Sequence, residues 1–470
     1  MIKYKNKYKG GEGVTESSKF DRIRDALIRF TSSYLYSLLL FSLACVFIFT
    51  GKEIIGTYIF AFVIAFTMIL SDDLFPALEG LLAVTCFAIQ CKYSFKGFME
   101  IWPLGILPVA MFFAHFFLYK KKLNKTTFLP GMIAVSIAIL AGGVGVIYWK
   151  SYFSPTSLFY MGLLGFGMVL ICSYLASCFG EKKTDNADLR FCRMHITAIF
   201  IICAAIFWEY YTRFDEFYAA KSVIAFQWRN NAASILMLAM PFAFYLASRK
   251  FAWTAVGILD YILILLTGSR GGLIFGGAEL ALCFIVMTVI DKKHRVHNII
   301  LIAAGIILTA FAGRYLFEMI SSTINRLFDA DENTIRIELI RRGIADFKFN
   351  PINGRGLGYM GNRDIHHSAR HTLCWYHNSI IQVIASFGIL GVAAYSYLNI
   401  LRIKTLIKNI SFFNIIMFIS FIGIEMMSLV NPGVFAPFPY LFFVTVYFTA
   451  MEKCGCGGID TVKKLMRGTD

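Results

Sequence analysis

An arginine set among glycines at the edge of an apolar run can hold an anion, and this sequence places one in Thr267-Gly268-Ser269-Arg270-Gly271-Gly272. A guanidinium so close to hydrocarbon is costly unless it reaches water, a headgroup or a partner anion. The glycines let backbone and ligand approach closely. The helix that opens there adds free N–H groups and a positive dipole end. A tight helical hairpin with a snorkelling arginine would give the same residues.

A second arginine, Arg336, stands in a stretch where Ile337, Ile340, Ile344 and Phe347 recur at helical spacing. That spacing predicts an amphipathic helix on the membrane's outer face. With Asn333 or Thr334 as its cap, Arg336 falls in the first turn, where the dipole favours acids, so a bound anion would explain it better than the dipole does. A solvated positive face is the alternative. Arg341 follows five residues later, and Arg355 lies in Asn350-Pro351-Ile352-Asn353-Gly354-Arg355-Gly356-Leu357-Gly358. This segment matches a dinucleotide fingerprint only superficially, since no strand precedes it. It reads better as a tight turn that packs the loop, with backbone N–H groups to offer an anion.

His377 begins Tyr376-His377-Asn378-Ser379 at the start of another apolar run. A neutral imidazole there suits removal of a proton from a hydroxyl near neutral pH, and a helix-capping histidine would look the same. His366, His367 and His371 are nearby, but no carboxylate or cysteine set completes a zinc site. We expect no metal and no other cofactor.

The elements that must position these groups are membrane helices. Of the 470 residues 58% are hydrophobic and only 16% charged, with a mean hydropathy of +0.65, which excludes an ordinary soluble fold. Apolar runs fall near 34–50, 54–70, 74–91, 101–119, 129–148, 157–178, 195–211, 231–247, 251–267, 272–290, 297–317, 378–400, 411–430 and 437–451. The expected fold is an all-α integral membrane protein of about 12–14 spans. Residues 1–30 form a cytoplasmic tail, with a surface helix over Phe20 to Phe30, and 31–317 hold the first eleven spans. Residues 318–377 form a large outer loop containing short helices, 378–451 the last spans, and 452–470 a cytoplasmic tail.

The net charge of +16 sits by position. Gaps such as KKKLNK, DKKHRVH and LRIKTLIKN are basic, and the gaps between them are poor in Lys and Arg. This alternation puts both ends inside and argues for topology, not nucleic-acid binding. The outer loop breaks the pattern with Arg326, Arg336, Arg341, Arg342, Arg355, Arg363 and Arg370. Arginine there fits bidentate phosphate binding, or a face laid on anionic lipid headgroups. Most of the cysteines lie in apolar runs as small hydrophobes, and Cys454-Gly-Cys456 reads as tail rather than half a metal site. Glu79, Glu209, Asp260, Glu279 and Glu425 lie within or at the ends of spans, where acids can mark an ion or proton path, though they form no obvious series.

The ordered set TGSRGG at 267–272, IRIELIRRGIADFKFNPINGRGLGY at 335–359 and HNSIIQVIASFGILG at 377–391 resembles the O-antigen ligase and Wzy-type polymerase superfamily. Those are membrane glycosyltransferases acting on undecaprenyl-diphosphate-linked glycans outside the cytoplasmic membrane. The resemblance implies that Arg270 and Arg336 hold the lipid-linked diphosphate and that His377 activates the acceptor hydroxyl. Arg229, in Gln227-Trp228-Arg229-Asn230-Asn231, resembles a less regular family position and is a secondary candidate together with Arg341 and Arg355. The implied partners are the glycan donor, a glycan or lipid acceptor and membrane lipid, with room for other polysaccharide-assembly proteins. Polymerase is favoured over ligase because nothing identifies a lipid A acceptor. A multi-span transporter or flippase for lipid-linked oligosaccharide is the competing class. It predicts paired broken helices in two halves, which the sequence does not show. A non-catalytic scaffold would leave Arg270, Arg336 and His377 unexplained.

Overall fold

In lipid every backbone polar group has to be paired within the protein, and the chain meets that demand with helices. The computed structural model describes residues 19–88, 106–145, 156–180, 186–327, 330–357, 359, 375–431, 433–435, 437–455 and 459–468. Helix α1 (Lys19–Thr31) meets α2 (Tyr34–Thr50) at 69°, as a surface helix feeding a span would. Then come α3 (Glu53–Leu70), α4 (Phe75–Ala88), α5 (Ile106–Leu118) and α6 (Leu129–Gly145). A π turn at Leu163–Gly167 joins α7 (Thr156–Gly162) to α8 (Met168–Gly180). After α9 (Ala187–Thr212), α10 (Phe214–Ala220) and α11 (Arg229–Arg249), the chain makes a hairpin of α12 (Thr254–Leu266) and α13 (Gly277–Ile290), the second arm preceded by a π turn at Gly272–Gly276. The rest is α14 (Arg295–Leu327), α15 (Ala330–Phe349), α16 (Ser379–Lys408), α17 (Phe412–Met427), α18 (Phe442–Lys453) and α19 (Ile459–Arg467).

Helices lie on all fourteen apolar runs, but not all are of spanning length. Among the described residues six are long and apolar enough to cross a bilayer, or eight if each of two bent pairs is one span. The shorter ones, such as Phe75–Ala88 and Phe412–Met427, fall below the roughly 20 residues that 30 Å of hydrocarbon requires.

Helix α11 is the hub. It is apolar all round and buried along most of its length, packed by α9, α12 and α17. Polar groups in this core are mostly satisfied. His195 stacks on Phe242 with ring centroids 3.8 Å apart, and its two nitrogens meet the Phe191 carbonyl at 2.7 Å and the Tyr447 hydroxyl at 2.5 Å. The acidic gap at Asp72 and Asp73, which departs from the basic pattern of its side, is neutralised by Lys121 at 3.9 Å and Arg190 at 2.6 Å.

Two boundaries differ from the sequence reading. The span ending near 317 does not stop there: α14 runs on to Leu327 and turns by 81° between Phe311 and Gly313, so its polar end becomes a separate arm. The final segment is not wholly a free tail either. The Lys292 N–H donates to the Leu465 carbonyl at 3.2 Å, and Val462 and Leu465 pack on the core.

The segment 350–357 shows why its glycines are needed. Helix α16 is broken at Gly388, whose φ is +59°. The turn plugs the break: Ile389 and Leu390 donate to the carbonyls of Pro351 and Ile352 at 2.8 and 3.1 Å, and Arg355 and Gly356 donate to those of Ala385 and Ser386 at 2.8 and 2.9 Å. The N–H groups that could have met an anion are thus spent on the helix break, which a buried kink would otherwise leave unpaired. Gly354 combines a φ of +69° with a position where a Cβ would lie 2.4 Å from the Ser386 carbonyl carbon. Gly354→Ala is therefore expected to destabilise by about 1–3 kcal/mol or more, read as a lowered thermal midpoint in detergent. An unchanged midpoint would show that the clasp carries little of the stability.

Candidate active site

The Arg270 corner is built by local capping. Thr267 Oγ1 donates to the Ile264 carbonyl at 2.7 Å and accepts from the Ser269 N–H at 3.2 Å. Ser269 Oγ accepts from the Gly272 N–H at 3.1 Å, capping the next helix. The same hydroxyl donates to Asn230 Oδ1 at 2.8 Å, tying the corner to the start of α11 beside Arg229. Gly268, at φ +69°, passes so close to Ala225 that a Cβ would lie 3.0 Å from its Cα. Arg270 itself is buried. Its Nη1 donates to the Arg326 carbonyl, and Arg326 Nη2 returns a bond of 2.8 Å to the Gly268 carbonyl. Two further bonds press the α14 arm over this corner, Val223 N–H to the Met319 carbonyl at 2.7 Å and Ser322 Oγ to the Val223 carbonyl at 2.8 Å. Sequence reasoning counted Arg326 only among the loop arginines. Its place beside Arg270 depends on the fold of α14, which no local pattern announces.

Arg336 is not in a first turn. Helix α15 begins at Ala330, so Asp331 and Glu332 occupy the end where the dipole favours acids, and Arg336 lies in the second turn. The dipole argument for a held anion therefore lapses. What marks Arg336 instead is its stripe: Leu339, Gly343 and Asp346, which follow it at helical spacing, are buried, and Arg336 is half-buried. Ile337 and Ile344 point away and stay exposed, as a lipid-facing edge would. A Cβ at Gly343 would lie 2.2 Å from Ile381 Cγ2 and 3.1 Å from Tyr376. The helix thus begins four residues after Arg326 in sequence and reaches the His377 segment at its middle, seven residues beyond Arg336. Arg341 is exposed, and Arg342 pairs with Glu338 at 3.1 Å.

His377 is not a helix cap. That role belongs to Asn378, whose Oδ1 accepts from the Ile381 N–H at 3.0 Å. His377 precedes it, half-buried, with φ +52°. A non-glycine residue held left-handed next to a cap is a strained placement of the kind found at functional sites. The surrounding bonds enforce it. Tyr376 N–H donates to Gln382 Oε1 at 3.0 Å, and its hydroxyl donates to Asp346 Oδ2 at 2.6 Å. On the other side Asn378 Nδ2 donates to the Leu429 carbonyl at 3.0 Å, and the Ser379 N–H to the Ser428 carbonyl at 2.9 Å. Gly271 packs on Met427 and Val430 of that same chain segment. The end of α17 therefore links the Arg270 corner to the His377 segment.

Arg355 is held by protein groups. It pairs with Asp346 at 3.2 Å and lies over the rings of Phe349 and Tyr359 at 3.8 and 4.9 Å. Burial pushes the Asp346 carboxyl up from its ordinary value, against the opposing pull of Tyr376 and Arg355, and burial raises the Tyr376 phenol too. Tyr376→Phe leaves that carboxyl short of a donor, an expected loss of about 1–3 kcal/mol, together with reduced turnover as His377 loses its neighbour's anchor. A thermal melt alongside an activity assay checks it. His366, His367, His371, Cys374, Arg363, Arg370 and Cys456 lie outside the described residues. Among those described, no three His, Cys, Asp or Glu side chains group as metal ligands.

Residues 253–396 match the O-antigen ligase family model, Wzy_C. The match takes in Arg270, Arg336, Arg341, Arg355 and His377, and leaves Arg229 outside. No curated protein matches the chain.

Proposed function

From the chain's membership of the O-antigen ligase superfamily, and so of a glycosyltransferase-like ligase and polymerase class, we propose that it transfers glycan from an undecaprenyl-diphosphate carrier to an acceptor hydroxyl. The reaction takes place on the outer side of a bacterial cytoplasmic membrane, with both chain ends inside. The observation that carries this reading is the convergence of three motifs distant in sequence. The Arg270 corner and the His377 segment both pack on the end of α17, and α15, the helix that carries Arg336, packs on the His377 segment at Gly343.

In this reading His377 takes the proton of the acceptor hydroxyl as its oxygen attacks the anomeric carbon. The bond from that carbon to the diphosphate breaks, and the departing oxygen's charge falls on Arg270 and Arg336. Guanidinium groups bind the diphosphate in a planar, charge-assisted way, the neutralisation that Mg²⁺ provides in other transferases, so no metal is required. Arg229 and Arg326 add positive charge around the same corner. The basic gaps favour the inside for the opposite end. Polymerisation, with a second lipid-linked chain as acceptor, is preferred to ligation.

The test is purified protein in liposomes with a labelled undecaprenyl-diphosphate oligosaccharide, compared with His377→Ala and Arg270→Ala. Longer lipid-linked products lost in both variants support a polymerase. Transfer only to an added separate acceptor makes it a ligase. If the wild type forms no glycosidic bond with any acceptor yet carries the lipid-linked glycan across the bilayer, a flippase replaces the enzyme.

A further inference from the structure

Five acids lie within or at the ends of apolar runs, and the structure separates them. Glu79 pairs with Arg193 at 2.9 Å, Glu209 with Arg213 at 2.9 Å and Glu425 with Arg402 at 4.0 Å. Asp260 and Glu279 are fully buried, and none of their four carboxyl oxygens has a hydrogen-bond partner among the described residues. They are placed symmetrically. Asp260 lies ten residues before Arg270 and Glu279 nine residues after it, on the two arms of one hairpin. At the helical rise Glu279 sits roughly 14 Å beneath the arginine and Asp260 roughly 9 Å below the end of its own arm. Residues 251–290 carry just these three formal charges. Helix α17 yields to Glu279: a Cβ at Gly423 would lie 2.4 Å from its Oε1.

Carboxylate oxygens without donors at this depth have two ways to be stable, a bound proton or a bound metal ion. A hard metal ion calls for six or more oxygen ligands, and among the described residues no three His, Cys, Asp or Glu side chains gather to hold one. The other titratable groups whose charge reaches the pair are Cys283 on α13, Cys203 on α9 and Tyr447 on α18, none of them a cation. We infer that Asp260 and Glu279 form an intramembrane proton-binding site, each carboxyl holding one proton. Loaded, the pair leaves the hairpin with the single positive charge of Arg270. Emptied, the hairpin carries one net negative charge, and an anion approaching the corner meets the opposite sign. Proton occupancy thus sets the polarity of the hairpin that carries Arg270.

The site can be tested without any assay of transfer. Infrared difference spectra are recorded in nanodiscs at neutral pH between wild type and Asp260→Asn/Glu279→Gln, replacements that mimic the protonated acids in shape and so keep the fold. The expected result is a carboxylic-acid carbonyl band in the wild type alone, shifting in D₂O. A pair of carboxylate bands in its place would overturn the assignment. A thermal midpoint raised by sodium chloride but not by choline chloride, and insensitive to sodium in the double variant, would overturn it in favour of a metal ion.

Discussion

Replacing His377 with asparagine is expected to lower turnover by about 100- to 10,000-fold, the span that a positioned general base contributes. Asparagine is the apt substitution because it tolerates the left-handed φ of +52° that the native residue adopts. The backbone, the Asn378 cap and the Tyr376 anchor should survive, so the thermal midpoint should stay near that of the wild type and KM for the lipid-linked donor should change little. Alanine at the same position adds backbone strain to the chemical loss, so a comparison of the two separates them. Wild-type turnover in the asparagine variant would remove His377 from the reaction and return it to a structural role.

For Arg270 the informative change is to lysine, which keeps the charge and discards the planar fork. One nitrogen of the guanidinium donates to the Arg326 carbonyl, and the planar fork fixes the direction of every other donor it presents. A lysine ammonium has no such division of labour. We expect kcat/KM to fall by roughly 100- to 1,000-fold, the cost of losing one preorganised donor at a developing charge. Affinity for an inorganic diphosphate probe, measured by calorimetry, should weaken in parallel. A tenfold loss or less, with diphosphate binding intact, would mean that Arg270 serves to fasten α14 to the hairpin.

The apolar runs made the helices legible, because membrane helices are written in composition over some twenty consecutive residues. The Arg270 corner and the His377-Asn378 start were legible too, as each is a local break between runs. What escaped was non-local. Gly388 sits in Ser386-Phe387-Gly388-Ile389-Leu390, which reads as uninterrupted helix, and its break is visible only with the 350–357 turn seated in it. Arg355 reads in sequence as a candidate anion ligand, and nothing local announces that Asp346, nine residues earlier, pairs with it across a helix end. Asn333 and Thr334 are good caps and point to a first turn at Arg336, yet the helix starts sooner, at Ala330. Arg326 had no local signal, since it depends on the 81° turn in α14. The paired acids in the spans could be counted from sequence, but not sorted into neutralised and bare.

The clasp at the α16 break has a further consequence for variation. Arg355 and Gly356 are tied to residues 385 and 386, and Tyr376 is tied to Gln382 and Asp346. The chain that joins them therefore starts and ends at positions held by bonds outside it, whatever its length. Doubling such a loop costs only about 0.6 kcal/mol in closure entropy. Insertions and exchanges there can accumulate without moving His377, so this part of the chain is open to variation while the frame around His377 is kept.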